Sequence, residues 1–126
     1  MVYGLGSVGM KPQVLILEDN NLLAENLADL VKADLGGEAL ITPSVEDAVK
    51  LIPDHIVLAY LDIEVLDGLS YPAAKKLMEH NIPIIFVSGS DQRILPIEFQ
   101  KIPFLSKPTS MTKLVQLSKS LSKAFH

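Results

Sequence analysis

The sequence predicts an α/β fold in which a parallel sheet carries helices on both faces. Short uninterrupted apolar runs, such as residues 56–61, are typical of strands that are buried on both sides. Segments with apolar side chains at helical spacing separate these runs along the chain. Strands that alternate with helices in this way pair in parallel, because each parallel pair needs a helical crossover.

Composition predicts one soluble globular domain and excludes several classes of site. The chain has 126 residues, of which 48% are hydrophobic and 21% charged, and its net charge of −4 predicts no direct binding of nucleic acid. It has no cysteine, which excludes disulfides and thiolate chemistry and favours the cytoplasm. No uncharged apolar run approaches the roughly 18 residues that a membrane span requires.

Five apolar runs are the predicted strands, and in chain order they are residues 14–17, 38–42, 56–61, 82–87 and 103–106. The first ends in Glu18-Asp19 and the third in Asp62, as expected for buried strands whose carboxyl ends form a polar edge. Pro83 lies near the start of the fourth strand, where a missing backbone donor is tolerated.

The first two predicted helices have clear ends. Asn20 or Asn21 caps the first helix, and Gly36-Gly37 ends it. Its apolar stripe consists of Leu23, Leu27, Leu30 and Val31. Ser44 caps the second helix, and Pro53 ends it.

The second half of the chain predicts two more helices and one irregular segment. Pro72 suits the first turn of the third helix. The apolar face of that helix consists of Ala73, Ala74, Leu77 and Met78. Between residues 92 and 101, Pro96 predicts a short or interrupted helix. Thr109 or Ser110 caps the last helix. Its stripe consists of Met111, Leu114, Val115, Ser118 and Leu121.

The stretch Gly4-Leu5-Gly6-Ser7-Val8-Gly9 matches the glycine pattern of dinucleotide-binding sites but lacks the flanking secondary structure of those sites. That pattern needs a strand before the glycines and a helix after them, so that pyrophosphate meets the helix N-terminus. Here almost nothing precedes the glycines, and a predicted strand follows them. We therefore expect residues 1–10 to be a disordered leader or cloning remnant and residues 11–126 to form the domain.

Polar residues follow four of the predicted strands, at the edge where parallel sheets bind ligands. They are Glu18 and Asp19, Asp62, Ser88, and Lys107. Carboxylates that converge on one edge repel one another unless a cation joins them, and oxygen ligands suit Mg²⁺. A lysine and a hydroxyl beside such an ion would stabilise a phosphoryl group on a carboxylate nucleophile. The pattern predicts an aspartyl-phosphate site that uses Mg²⁺.

Each of these residues also has an ordinary structural interpretation. Asp62 would otherwise simply end a strand, and Asp19 would cap the following helix, a role that the neighbouring asparagines also suit. Glu18 would act on a metal either directly or through water. A serine in a turn and a solvated lysine are both common on their own. The occurrence of all of them at one edge favours the functional interpretation.

These residues resemble those of the response regulator receiver domains of two-component signalling, over residues 11 to about 125. Leu17-Glu18-Asp19 is similar to the acidic pair of that family, and Asp62 stands where the family has its phosphoacceptor. Ser88 matches a Ser or Thr that contacts the phosphoryl group. Lys107-Pro108 matches the family's lysine, and the resemblance implies that the peptide between them is cis.

The resemblance also implies a flavodoxin-like sheet of strand order 2-1-3-4-5 and gives Phe104 the role of an aromatic switch. It implies that Mg²⁺ is bound by Glu18, Asp19, Asp62 and the backbone carbonyl of Glu64. The expected phosphoryl donor is a histidine kinase or a histidine phosphotransfer protein, and a downstream protein reads the switch. Such a domain is a monomer or weak homodimer, and its only reactions are its own phosphorylation and dephosphorylation.

Two departures separate the chain from the commonest receivers. The loop from Asp62 to Gly68 is two residues shorter, and the segment from Ser88 to Lys107 is also short. We expect the fourth helix to be missing or irregular, as in single-domain receivers in which a mobile loop replaces it. Those receivers often carry a tyrosine where this chain has Asp91.

Two alternative functions remain open. One is a receiver that binds partners without phosphate, as a pseudo-receiver module. The other is a Mg²⁺ phosphatase of the haloacid dehalogenase type, which also uses an aspartate nucleophile at the end of a strand. That class needs an aspartate two positions after the nucleophile, where this chain has Glu64.

Overall fold

The computed structural model of the protein describes residues 11–125, so the predicted leader at residues 1–10 lies outside the described residues. The strands are β1 (Gln13–Leu17), β2 (Glu38–Thr42), β3 (Ile56–Leu61), β4 (Glu64–Val65), β5 (Gly68–Leu69), β6 (Ile84–Ser88) and β7 (Phe104–Ser106). Each predicted strand is present, although β6 begins at Ile84 and not at residue 82. The short strands β4 and β5 form a separate antiparallel ribbon.

Five strands form one parallel sheet in the order β2-β1-β3-β6-β7, which is the predicted order 2-1-3-4-5 once the ribbon is set aside. The central strand β3 pairs with β1 on one side and with β6 on the other. β7 pairs with β6, and Ser106 lies opposite Ser88. Because all five strands run in the same direction, the residues that follow them meet at one edge of the sheet.

Residues 11–125 contain four α-helices: α1 (Asn21–Leu30), α2 (Val45–Leu51), α3 (Tyr71–Glu79) and α4 (Met111–Leu121). The first three connect strands, and α4 follows β7. The side chains of Asn20, Ser44 and Ser110 cap α1, α2 and α4. Ser44 was predicted, and the structure selects Asn20 over Asn21 and Ser110 over Thr109. A π-helical turn extends α1 to Leu35, where Gly36 ends it with a φ of 69° that glycine adopts without strain. None of the helices within residues 11–125 is long and apolar enough to cross a membrane.

The sheet separates two apolar cores. Leu15 and Leu17 of β1 face the core that α2 and α3 cover, whereas Val14 and Ile16 face the core that α1 and α4 cover. Alternate side chains of a strand point to opposite faces, so a strand between two helix layers must be apolar at every position. This double burial explains the uninterrupted apolar runs in the sequence.

Two methionines of the predicted helix stripes are exposed, and that part of the prediction is wrong. Met78 of α3 is 43% exposed and Met111 of α4 is 36% exposed, whereas Leu77 and Leu114 on the same helices are completely buried. Both methionines stand in a terminal turn of their helix. Helical spacing predicts which face of a helix is apolar, but it does not predict how far the partner surface extends along that face.

Between β6 and β7 the chain forms two 3₁₀ turns, Gln92–Ile94 and Ile97–Phe99, in place of a regular helix. The prediction of a missing or irregular fourth helix is thus confirmed for this segment. Leu95 and Phe99 are buried and fix the segment on the sheet. The ring of Phe99 packs against those of Tyr71 and Phe86, with centroid distances of 5.4 Å and 6.5 Å.

A buried hydrogen-bonded chain joins β3 to α4. The hydroxyl oxygens of Tyr60 and Ser118 lie 2.6 Å apart, and the Ser118 hydroxyl also lies 2.7 Å from the carbonyl oxygen of Leu114. A carbonyl only accepts, so Ser118 donates its single proton to Leu114 and accepts the proton of Tyr60. Helical spacing placed Ser118 in an apolar stripe and gave no sign of a hydrogen-bond partner 58 residues away.

The phenol of Tyr60 makes stability sensitive to alkaline pH. Burial raises the pKa of Tyr60 from 10.0 to about 12, although the hydrogen bond to Ser118 acts in the opposite direction. The neutral phenol therefore stabilises the fold fully below pH 10, and about 3 kcal/mol is lost as the pH rises to about 12. We expect urea unfolding at several pH values to show this loss in the wild type and to show it removed in Tyr60→Phe. An identical decline in both proteins would contradict the prediction.

Candidate functional site

Three carboxylates meet at the carboxyl ends of β1 and β3. Glu18 and Asp19 directly follow β1, and Asp62 directly follows β3. One carboxylate oxygen of each residue lies within 4.8 Å of the other two. Glu18 is 3% exposed and Asp62 9% exposed, whereas Asp19 is open to solvent. The pairing of β1 with β3 therefore brings together the acids for which the sequence predicts a metal site.

Lys107 places an ammonium group between two of these acids. Its Nζ donates a hydrogen bond of 2.7 Å to Asp62 Oδ2 and lies 2.8 Å from Glu18 Oε1. The lysine is brought there because its backbone N–H donates to the carbonyl of Ser88, which extends the pairing of β7 with β6. Burial lowers the pKa of Lys107, but the hydrogen bonds and charges of Asp62 and Glu18 outweigh burial and raise it overall.

The second oxygen of Asp62 is also held by donors. Ser88 Oγ donates to Asp62 Oδ1 at 2.7 Å, and the backbone N–H of Ile63 donates to the same oxygen at 2.8 Å. Ser88 is completely buried, and its hydroxyl oxygen accepts from the backbone N–H of Ser90 at 3.2 Å. Asp62 is therefore fixed in orientation, with one donor side chain on each oxygen.

The charges and donors at this site fit a divalent cation. Three carboxylates and one ammonium group form the cluster, so its formal charge is −2. Oxygen donors with this charge suit Mg²⁺. Asn20 provides the cap of α1, because its side chain accepts from the backbone N–H of Leu23. The alternative in which Asp19 caps this helix is therefore wrong.

The remaining predicted residues are distributed around the cluster. Phe104 is half-buried, and its ring centroid lies 6.4 Å from that of Phe86. The peptide between Lys107 and Pro108 is cis, as the resemblance implies. Glu64 begins β4 with its side chain exposed, and among residues 11–125 the acidic cluster does not include its carboxylate.

Asp67 makes contacts that local sequence patterns did not predict. This carboxylate accepts hydrogen bonds from the backbone N–H groups of Val45 at 2.8 Å and Glu46 at 3.2 Å, which open α2. These bonds are the main cause that lowers the pKa of Asp67 below its usual value. The first N–H groups of any helix need acceptors from outside the helix. The start of α2 therefore indicated that some acceptor must lie there, but not that it is Asp67.

Two curated proteins are similar to most of this chain. No protein-family model matches it. The transcriptional regulatory protein PrrA of Mycobacterium tuberculosis is 29% identical over 87% of this chain. The protein-glutamate methylesterase/protein-glutamine glutaminase 5 of Anaeromyxobacter dehalogenans is 29% identical over 90% of it. The chain spans about half the length of PrrA (49%) and 33% of the methylesterase.

Solved structures match the chain over nearly their whole length. SdrG from Sphingomonas melonis Fr1 is 29% identical with a TM-score of 0.75, over 88% of this chain and 96% of SdrG. The signal receiver domain of a modulated diguanylate cyclase from Desulfovibrio desulfuricans G20 is 30% identical with a TM-score of 0.69, over 89% of this chain and 93% of that domain. The chain belongs to the response regulator receiver family. The receiver shares its fold with the HemR receiver domain from Leptospira biflexa, at a TM-score of 0.74 and 24% identity over 89% of this chain and 95% of that one.

Replacement of Lys107 by Met would leave two buried carboxylates of this receiver without their shared counter-charge. We expect the free energy of unfolding at neutral pH to fall by about 3 kcal/mol, the typical cost of breaking a largely buried ion pair. Urea unfolding followed by circular dichroism measures the change. Lys113→Met on the exposed face of α4 is the control. Its free energy of unfolding should lie within about 0.5 kcal/mol of the wild-type value. Equal effects of the two substitutions would contradict this role of Lys107.

Proposed function

We propose that this receiver accepts a phosphoryl group from a phosphohistidine onto Asp62, with Mg²⁺, and that the modification switches its protein contacts. The observation that supports the proposal best is the pair of donor side chains on Asp62. Lys107 Nζ and Ser88 Oγ each lie 2.7 Å from a different oxygen of this carboxylate. A carboxylate that merely ends a strand needs no ammonium group from 45 residues along the chain.

In the proposed reaction a carboxylate oxygen of Asp62 attacks the phosphorus atom of the donor. A bond forms between that oxygen and phosphorus, and the bond between phosphorus and the histidine nitrogen breaks. The electron pair of the broken bond stays with the nitrogen of the leaving imidazole. A carboxylate is already an anion, so the attack requires no general base.

Lys107 and Ser88 supply donors where charge accumulates in this reaction. As Asp62 becomes an acyl phosphate, its negative charge moves to the phosphoryl oxygens. Lys107 remains positively charged because the neighbouring carboxylates raise its pKa. The Ser88 hydroxyl is held by the backbone N–H of Ser90 and directed at Asp62. Donors that are fixed before the reaction stabilise the transition state without reorganisation.

Mg²⁺ would offset the negative charge that accumulates when a phosphoryl group approaches three carboxylates. We propose that its ligands are Asp19, Asp62, the backbone carbonyl of Glu64, and Glu18 either directly or through water. The support for this set is its oxygen chemistry and the formal charge of −2. Asp19 is the exposed carboxylate of the cluster.

The proposed partners follow from the same chemistry. The phosphoryl donor is a histidine kinase or a histidine phosphotransfer protein, and a downstream protein reads the face that carries Phe104. Phe104 lies on β7, the strand next to the one that ends in Ser88. A change at Ser88 and Lys107 would therefore bias the position of Phe104. We propose a cytoplasmic monomer or weak homodimer that does not contact nucleic acid directly, in keeping with its net charge of −4.

The phosphoacceptor proposal predicts a covalent adduct at one residue. The protein is incubated with Mg²⁺ and acetyl phosphate, and its intact mass is measured with and without the metal. We expect one added phosphoryl group in the wild type and none in Asp62→Ala or after removal of Mg²⁺. Asp54→Ala removes an exposed aspartate away from the cluster and should be modified like the wild type.

Other results would support the alternatives. A folded wild type that gains no phosphoryl group and binds no beryllofluoride would favour the phosphate-independent binding module. Continuous release of phosphate from organic phosphomonoesters would favour the phosphatase of the haloacid dehalogenase type. Modification that persists in Asp62→Ala would place the acceptor elsewhere and contradict the proposal.

A further inference from the structure

Asp67 fastens the loop after Asp62 to the start of α2. Its Oδ1 accepts from the backbone N–H of Val45 at 2.8 Å, and its Oδ2 accepts from the backbone N–H of Glu46 at 3.2 Å and from Ser44 Oγ at 3.3 Å. The third N–H of α2, that of Asp47, donates to Ser44 Oγ. The first three N–H groups of α2 are thus satisfied from outside its backbone hydrogen bonds, and Asp67 accepts two of the three.

The loop between Asp62 and Asp67 is attached on its other side to the core. Ile63 is completely buried and Val65 is 6% exposed, so alternate side chains of the loop point inwards. The carbonyl of Ile63 accepts from the backbone N–H of Ser70 at 2.8 Å. Glu64 lies between the two buried residues, and its backbone is therefore held between the core and the Asp67 contact.

The same turn that Asp67 binds also contacts the acidic pair. The backbone N–H of Glu18 donates to the carbonyl of Thr42 at 3.1 Å. The hydroxyl of Thr42 exchanges hydrogen bonds of 3.2 Å with the backbone of Ser44. A continuous set of hydrogen bonds thus runs from Glu18 through residues 42–46 to Asp67, and the chain returns from there to Asp62.

We propose that Asp67 is a positioning residue for the metal site, because it holds the loop that carries the Glu64 carbonyl at a fixed distance from the carboxylates. This inference rests on the proposed function, since it takes that carbonyl as a ligand. A shorter loop has fewer residues over which to relax, so the loss of the Asp67 anchor would shift the backbone at Glu64, although Ile63 and Val65 stay packed in the core. Asp67 itself does not contact the metal, and its charge is offset by the N–H groups of α2.

The test compares Mg²⁺ binding by the wild type, Asp67→Ala and Asp67→Asn, measured by calorimetry and by the amide shifts of the residues next to Asp62. We expect Asp67→Ala to raise the dissociation constant for Mg²⁺ about 10-fold, as for other groups that orient metal ligands. Asp67→Asn keeps one acceptor oxygen, so its dissociation constant for Mg²⁺ should lie between those of the wild type and Asp67→Ala. At saturating Mg²⁺, the rate of modification by acetyl phosphate should return to the wild-type value in both variants.

The matched control is Lys50→Gly, which weakens α2 at an exposed position without touching the loop. It should leave the dissociation constant for Mg²⁺ unchanged. Normal Mg²⁺ binding by Asp67→Ala, or an equal loss in Lys50→Gly, would overturn the positioning role and leave the proposed function intact. A wild type that binds no Mg²⁺ would overturn both. If Asp67→Ala does not fold, the comparison of Asp67→Asn with Lys50→Gly decides the question.

Discussion

The negative charge at the carboxyl ends of β1 and β3 constrains the rest of the structure. Glu18 and Asp62 are almost completely buried and belong to one cluster, and buried carboxylates are stable only when cations or donors compensate them. Lys107 compensates both, and it does so from the end of β7, an edge strand of the sheet. A strand of three residues at the edge thus decides whether the site is complete, because its pairing with β6 determines where Lys107 lies.

The irregular segment between β6 and β7 has to meet two requirements that do not demand a helix. It must cover the apolar side chains of β6, and it must return the chain to start β7. Phe99 meets the first by packing on Phe86 and Tyr71, and Leu95 is buried beside it. Gln100 then stabilises the segment by donating its side-chain amide to the carbonyl of Leu95 at 2.6 Å. Burial of two apolar side chains replaces the helix in this receiver.

Two polar contacts link elements that are distant in sequence. Tyr60 donates to Ser118 between β3 and α4, and Asp67 caps α2 from the loop after Asp62. Tyr60 stands two residues before Asp62, and Asp67 stands five after it, so both contacts restrain the strand and loop that flank the same carboxylate. A polar pair in an apolar layer also disfavours alternative packings, since a shifted helix would leave its hydroxyls unsatisfied.

The amino-acid sequence alone determined the α/β class, each strand of the sheet, the Ser44 cap of α2 and the residues that gather at the carboxyl edge. It could do so because those features depend on local periodicity and on the rule that parallel strands end at a common edge. The tertiary structure decided that Lys107 bridges Glu18 and Asp62, that Asn20 and not Asp19 caps α1, and that Ser118 and Asp67 have distant partners. A side-chain hydrogen bond between elements depends on the distance and angle between two atoms. Those are set only when helices and strands pack together, which is why spacing along the chain could not predict them.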